Sequence, residues 1–267
     1  MAVDYTTIPL KVAPSAATST TLTASGTAWA NPAWTQMIAS TSNSITIAGI
    51  VVLTNGTNLD WEIDIGVGAS GSEVVVGTMR GTSRTSGAGI PQSFYFPLPI
   101  LVSGGSKRIS ARIRKAGTAT TGFTLAIMYY DGDISSTAGT TTAVAKSIPS
   151  AAAGTTLSPS GVSWGSSSYV QLRAATGSAL VLGGIVLYAG VAQPYEIDIA
   201  TGGSGSETVI ATFRGNYDSA AGVNNLVYAN PPIDNIAANT RIAARIRING
   251  TNTTAWRIAL IVYEKPI

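Results

Sequence analysis

The chain has 267 residues, 45% of them apolar, and a formal net charge of only +3 from 16 basic and 13 acidic side chains. It contains no cysteine and no histidine, which excludes disulfides, thiolate nucleophiles, Cys-type zinc sites, a Ser-His-Asp triad and any imidazole base. The weak charge and the absence of any Lys/Arg-rich run argue against a nucleic-acid partner.

The N-terminal stretch MAVDYTTIPLKV has no basic segment followed by an apolar one, so it does not read as a secretory signal. Residues 1–25 read instead as an extended arm that ends in Thr-rich AATSTTLTAS. Short Val/Ile/Thr/Tyr-rich runs then alternate with Gly, Asn, Pro and Ser clusters, and no segment has a 3.6-residue apolar period. Strands are expected near 20–24, 34–40, 44–53, 60–66, 73–80, 92–96, 108–115 and 123–131. Residues 44–53 and 179–192 are the most apolar, yet both fall short of the ~20 residues a membrane-spanning helix needs. A soluble chain made in a cytoplasm, with no membrane partner, is the expectation.

The second half repeats the first. Lys11 and Pro14 of KVAPSAA return as Lys146 and Pro149 of KSIPSAA, and 146 − 11 = 135. Trp29 of SGTAW returns as Trp164 of SGVSW, again at 164 − 29 = 135. The stretch EIDIGVGASGSE (62–73) matches EIDIATGGSGSE (196–207) at 196 − 62 = 134, and GTMRG (77–81) matches ATFRG (211–215). RISARIR (108–114) matches RIAARIR (241–247) at 241 − 108 = 133. A period this long exceeds that of solenoid repeats, so it implies a tandem pair of whole domains. The expected division is 1–132 with its arm, then 133–267 opening on a linker arm, 133–158. About eight short strands in each copy is the size of a jelly roll or related antiparallel sandwich. The expected fold is therefore all-β: two tandem antiparallel β-sandwich, jelly-roll-like domains.

Strand alternation sets Trp61, Ile63 and Ile65 on a core face and Glu62 and Asp64 on the opposite, charged outer face. Arg108, Arg112 and Arg114 likewise alternate with Ile109, Ala111 and Ile113. Two carboxylates two residues apart on a strand lie ~6.6 Å apart, which permits a glycosidase pair. Duplication of the pair and the poverty of other polar constellations argue against catalysis. Glu62, Asp64 and Glu73, with Glu196, Asp198 and Glu207 in the second copy, also form a weak calcium-ligand set. Asp131 and Asp133 are weaker still. The favoured reading pairs Glu62 and Asp64 with Arg112 or Arg114, and Glu196 and Asp198 with Arg245 or Arg247, across strands or across an interface. GVGASG (66–71) matches a phosphate-loop pattern, but no helix follows, so it reads as a hairpin turn. Trp61 is expected in the core. Trp29, Trp34 and Trp164 are candidates for packing or interface, with glycan stacking as the alternative.

The motifs EIDIGVGASGSEVVVGTMRG and EIDIATGGSGSETVIATFRG, each followed by ARIR and a closing apolar strand, resemble structural proteins of tailed bacteriophage virions. Such proteins serve as capsid decoration or cement subunits, head fibres or tail accessories, and assemble as trimers or hexamers of β-sandwich modules. The resemblance implies a non-enzymatic virion protein, a homo-oligomer with a trimer favoured, whose partners are other virion subunits. It implies no cofactor and carries over no catalytic residue. A carbohydrate-binding or adsorption module for a bacterial surface glycan is the rival expectation.

Overall fold

The computed structural model describes residues 8–14, 19–54, 59–83, 92–120, 122–135, 142–189, 191–217 and 226–264, and every regular element among them is a β-strand. The chain divides into two compact units, Met1–Lys146 and Ser147–Lys265. Parts of both expected arms, residues 1–7, 15–18 and 136–141, lie outside the described residues.

In the first unit the strands are β1 (Leu10–Ala13), β2 (Thr20–Thr23), β3 (Thr35–Ile38), β4 (Ile45–Thr54), β5 (Leu59–Val67), β6 (Val74–Ser83), β7 (Gln92–Val102), β8 (Ile109–Lys115) and β9 (Gly122–Tyr130). One sheet runs β2-β9-β4-β7 and the other β3-β8-β5-β6. Counted from β2, these orders are 1-8-3-6 and 2-7-4-5, the two four-stranded sheets of a jelly roll. β1 pairs with β9 from Leu10↔Tyr130 to Ala13↔Ile127, in line with β2, which pairs from Thr20↔Leu125 to Thr23↔Gly122. The described part of the expected arm is thus sheet. The following strand, β10 (Val144–Ile148), begins with a parallel pairing of Ala145 to Gly77 on the free edge of β6.

The second unit contains β11 (Thr155–Leu157), β12 (Val170–Arg173), β13 (Leu180–Ala189), β14 (Gln193–Thr201), β15 (Thr208–Tyr217), β16 (Leu226–Ile236), β17 (Ile242–Ile248) and β18 (Trp256–Glu264). Its sheets run β11-β18-β13-β16 and β12-β17-β14-β15, the same order of first to eighth strand.

The alternating apolar positions fill the cores. Trp61, Ile63 and Ile65 of β5 are fully buried together with Ile109, Ala111 and Ile113 of β8. Trp61 meets Phe94 edge-on at 4.9 Å and lies opposite Gly81 on β6, where a Cβ would come within 2.3 Å of the indole. In the second unit Trp256 is packed by Tyr195 at 5.3 Å and Tyr217 at 5.2 Å. Burying such side chains contributes about 1.5–3 kcal/mol each, the main favourable term for each unit.

Besides β1, which falls where an arm is expected, the strands depart from the sequence pattern in two ways. β7 continues past the expected 96 to Val102, carrying Pro97 and Pro99 inside it, as β16 carries Pro231 and Pro232. Each is the last strand of its sheet and has register shifts against its one neighbour, so no ladder bond is lost on an outer side. The second difference concerns the charged face of β5, which is buried.

Candidate functional site, a carboxylate and arginine lattice

β5 lies between β6 and β8, and its register builds two polar rows. Glu62 stands between Arg80 of β6 and Arg114 of β8, and Asp64 between Thr78 and Arg112. Arg80 Nη1 lies 3.1 Å from Glu62 Oε1, and Arg114 Nη2 lies 3.0 Å from Glu62 Oε2. The same Arg114 nitrogen reaches Asp64 Oδ1 at 2.9 Å and so ties the rows together. Arg112 Nε donates to Asp64 Oδ2 at 2.9 Å, and the Thr78 hydroxyl donates to Asp64 Oδ1 at 2.8 Å.

An outer face was expected, but Glu62 is 0% and Asp64 1% exposed. Burial of opposed charges is tolerated here because each carboxylate is met by more than one donor. The cover comes from the chain between β2 and β3. The Trp29 ring lies over the Arg80 guanidinium at 5.1 Å and Trp34 over Arg112 at 4.3 Å, both cation–π contacts. Gly66 makes room for the second lid, since a Cβ there would fall 2.7 Å from the Trp34 ring. Asn31 Oδ1 accepts from Arg114 Nη1 at 3.2 Å.

Glu73, beyond the turn, pairs with Arg108, whose Nε also donates to Gln36 Oε1 at 3.0 Å. Its other oxygen accepts the Gly71 amide at 2.9 Å, inside a turn where Gly68 (φ 137°) and Gly71 (φ 84°) take up left-handed backbone. Burial pushes the Glu73 carboxyl up, but the Arg108 hydrogen bond, two backbone amides and the Arg108 charge together hold it below its ordinary value. The stretch read as a possible phosphate loop is thus a hairpin turn, closed by its own carboxylate.

In the second unit the lattice recurs in a looser form. Arg245 Nε lies 2.8 Å from Asp198 Oδ2, and Arg247 Nη2 reaches both Asp198 oxygens, at 2.9 and 2.8 Å, and Glu196 Oε1 at 2.5 Å. The Thr212 hydroxyl donates to Asp198 at 2.8 Å. Arg241 pairs with Glu207 at 2.9 Å, and burial against backbone and Arg241 hydrogen bonds again leaves the Glu207 carboxyl below its ordinary value. Tyr169 lies over Arg245 at 4.7 Å where the first unit has Trp34, and Ala200 stands where the first has Gly66. The smaller ring leaves room for the methyl. At Glu196 the lattice opens. Its side chain is 22% exposed, and Arg214 is 3.8 Å away and 69% exposed under Trp164.

The arrangement therefore joins every sequence-based candidate on these strands, Glu62, Asp64, Arg112, Arg114, Glu196, Asp198, Arg245 and Arg247, into ion pairs, with Trp29, Trp34 and Trp164 as lids. It also adds Arg80, Arg108, Arg214 and Arg241. A calcium ion would have to displace guanidinium groups, and among the described residues no group of three or more Asp or Glu is placed to hold a metal. Asp131 pairs with Lys11, and Asp133 accepts the Ser135 amide at 2.8 Å. As a proton-transfer pair the acids are unfavourably placed: each is held by permanent cations and, in the first unit, shut away from water.

No family model matches the chain, and no curated protein matches it. Solved structures similar to it include the STIV MCP, at 12% identity over 97% of both chains with a TM-score of 0.40. The structure of Macrobrachium rosenbergii nodavirus aligns at 9% identity over 97% of this chain and 98% of that one, with a TM-score of 0.23. The insecticidal delta-endotoxin Cry8Ea1 of Bacillus thuringiensis aligns at 9% identity over 87% of this chain and 54% of that one, with a TM-score of 0.29. Viral capsid proteins thus figure among its structural neighbours.

Proposed function

We propose that this chain is a non-enzymatic structural protein of a virion, of the tailed-phage type that its motifs resemble, and that it works by binding copies of itself and neighbouring subunits. The observation that carries the reading is the use to which its charge is put. The carboxylates and arginines that a catalytic or metal site would need are joined to one another, buried at Glu62, Asp64 and Arg80, and roofed by tryptophan. Such a lattice stiffens a sheet and presents nothing to a substrate. The two units are taken as copies of one module, so three chains would present six similar modules in pseudo-sixfold arrangement. The rival reading, a glycan-binding module, draws on one observation, the partly exposed Trp164 beside exposed Arg214.

Electron microscopy of assembled particles with the chain tagged tests the proposal. Density for it on a capsid or tail lattice is the expected result. Specific binding of the isolated chain to host polysaccharide, lost in Trp164→Ala, together with absence from particles, would favour the rival.

A further inference from the structure

We infer that the outer edge of β15 receives the β1 strand of a second copy of this chain, in parallel, with Leu10 opposite Ala211. The inference rests on the self-assembly reading above and names the contact that would carry it.

The edge of β6 is occupied. There β10 adds a parallel strand, with Ala145 paired to Gly77. The corresponding edge strand of the second unit, β15, ends its sheet, and no described strand lies on its outer side. Its 10 residues, TVIATFRGNY, are rich in β-branched and aromatic types and expose a row of main-chain donors and acceptors. Thr78, Arg80 and Thr82 on β6 are buried, whereas their sequence counterparts Thr212, Arg214 and Asn216 on β15 are exposed.

The segment that fills the β6 edge has its own counterpart at the start of the chain. The offset of 135 that relates KVAPSAA to KSIPSAA places Leu10 at Ala145 and Val12 at Ser147. Ala145 is 0% and Ser147 3% exposed, but Leu10 is 50% and Val12 44% exposed. β1 therefore carries two large apolar side chains where its counterpart carries small buried ones, and its one described strand partner is β9. Ala211, at Gly77 + 134, is the matching position on β15, and Val209 beside it is 42% exposed.

A groove of about 550 Å³ adjoins this edge, lined among others by Ala211, Phe213, Tyr228, Pro231, Pro232 and Ile233. Its lining, apolar apart from Thr212, Asn230 and the Tyr228 hydroxyl, offers a seat beside the strand for Leu10, the larger residue at the alanine position. Added strands of this kind take affinity from main-chain hydrogen bonds and register from side-chain pockets. The contact is head-to-tail, β1 of one chain on β15 of the next, so it closes into a ring when the rotation per copy allows.

The test uses the absence of native cysteine. Neighbouring strands lie about 4.8 Å apart, within disulfide reach. In the full-length chain, Leu10→Cys with Ala211→Cys should oxidise to covalent multimers that reducing agent dissolves. Leu10→Cys with Val74→Cys, an exposed position on β6 of the first unit, should not. Val209→Lys, which puts a charge on the exposed edge, should keep a native circular dichroism spectrum and weaken assembly by about tenfold or more. Assembly of the unmodified chain, with no intermolecular disulfide in the Leu10→Cys, Ala211→Cys variant and no change on Val209→Lys, overturns the inference while leaving self-assembly standing. An intramolecular bond in a monomer of that double variant shows that the occupant is the chain's own arm and also overturns it. A strictly monomeric unmodified chain overturns both readings.

Discussion

Glu62 and Glu196 occupy the same place in the two units, yet neutralising them should cost very different amounts. Glu62 is fully buried, and Glu62→Gln removes the counter-charge that faces Arg80, itself 2% exposed, at 3.1 Å. Breaking a buried pair by removing one partner typically costs about 3–5 kcal/mol, because the remaining charge stays desolvated. Glu196 is 22% exposed, its partner Arg214 is 69% exposed at 3.8 Å, and Arg247 retains both oxygens of Asp198 when Glu196 is neutral. Glu196→Gln should cost about 1 kcal/mol or less, the range of solvent-screened pairs. At about 2–4 °C per kcal/mol for a unit of this size, calorimetry should show the first-unit transition falling by about 10 °C and the second-unit transition by a few degrees at most. Arg80→Met added to Glu62→Gln should recover part of the loss, since it removes the guanidinium left buried without its counter-charge. Equal shifts for the two single variants, or a larger one for Glu196→Gln, would refute the claim that burial sets the worth of this lattice.

Three further outcomes follow from the geometry. Gly66→Ala should destabilise the first unit through the Trp34 ring 2.7 Å from the new methyl, and Trp34→Tyr should relieve it, restoring the Ala200/Tyr169 pairing of the second unit; a double-mutant cycle with no coupling would contradict this. The Lys115 amine is 1% exposed, finds no hydrogen-bond partner among the described residues, and has its pKa lowered by burial. Lys115→Ile, copying Ile248 of the second unit, should stabilise by about 1–3 kcal/mol at neutral pH in denaturant titrations, and a loss of stability would count against it. Glu73 and Glu207 have folded-state pKa values below the ordinary 4.5, so their contribution is present above that value and is lost as pH falls through the folded values. The double variant Glu73→Gln, Glu207→Gln should therefore flatten the decline in stability below about pH 4.5, and an unchanged acid limb would rule this out.

Much of this was legible in the residues. The period-2 alternation of WEIDI and RISARIR placed the core face of β5 and β8, and the opposed charges two residues apart placed Glu62 and Asp64 against Arg112 and Arg114. Arg80 is readable too: folding GVGASGSE as a hairpin brings it opposite Glu62. Burial of that face was not readable, because alternation tells two faces apart and says nothing of what covers the polar one. The cover is the irregular segment 24–34, which has no periodicity to read. The β1 strand was missed for a related reason: four residues, LKVA, carry too little pattern to distinguish a strand from an extended arm.

The central claim, that the chain works by assembling with its own kind, is tested most directly by sedimentation velocity of the full-length protein across a wide concentration range. A discrete species of three chain masses, weakened by Val209→Lys, is the predicted result. A single monomeric boundary at every concentration, unchanged by that substitution, would contradict it.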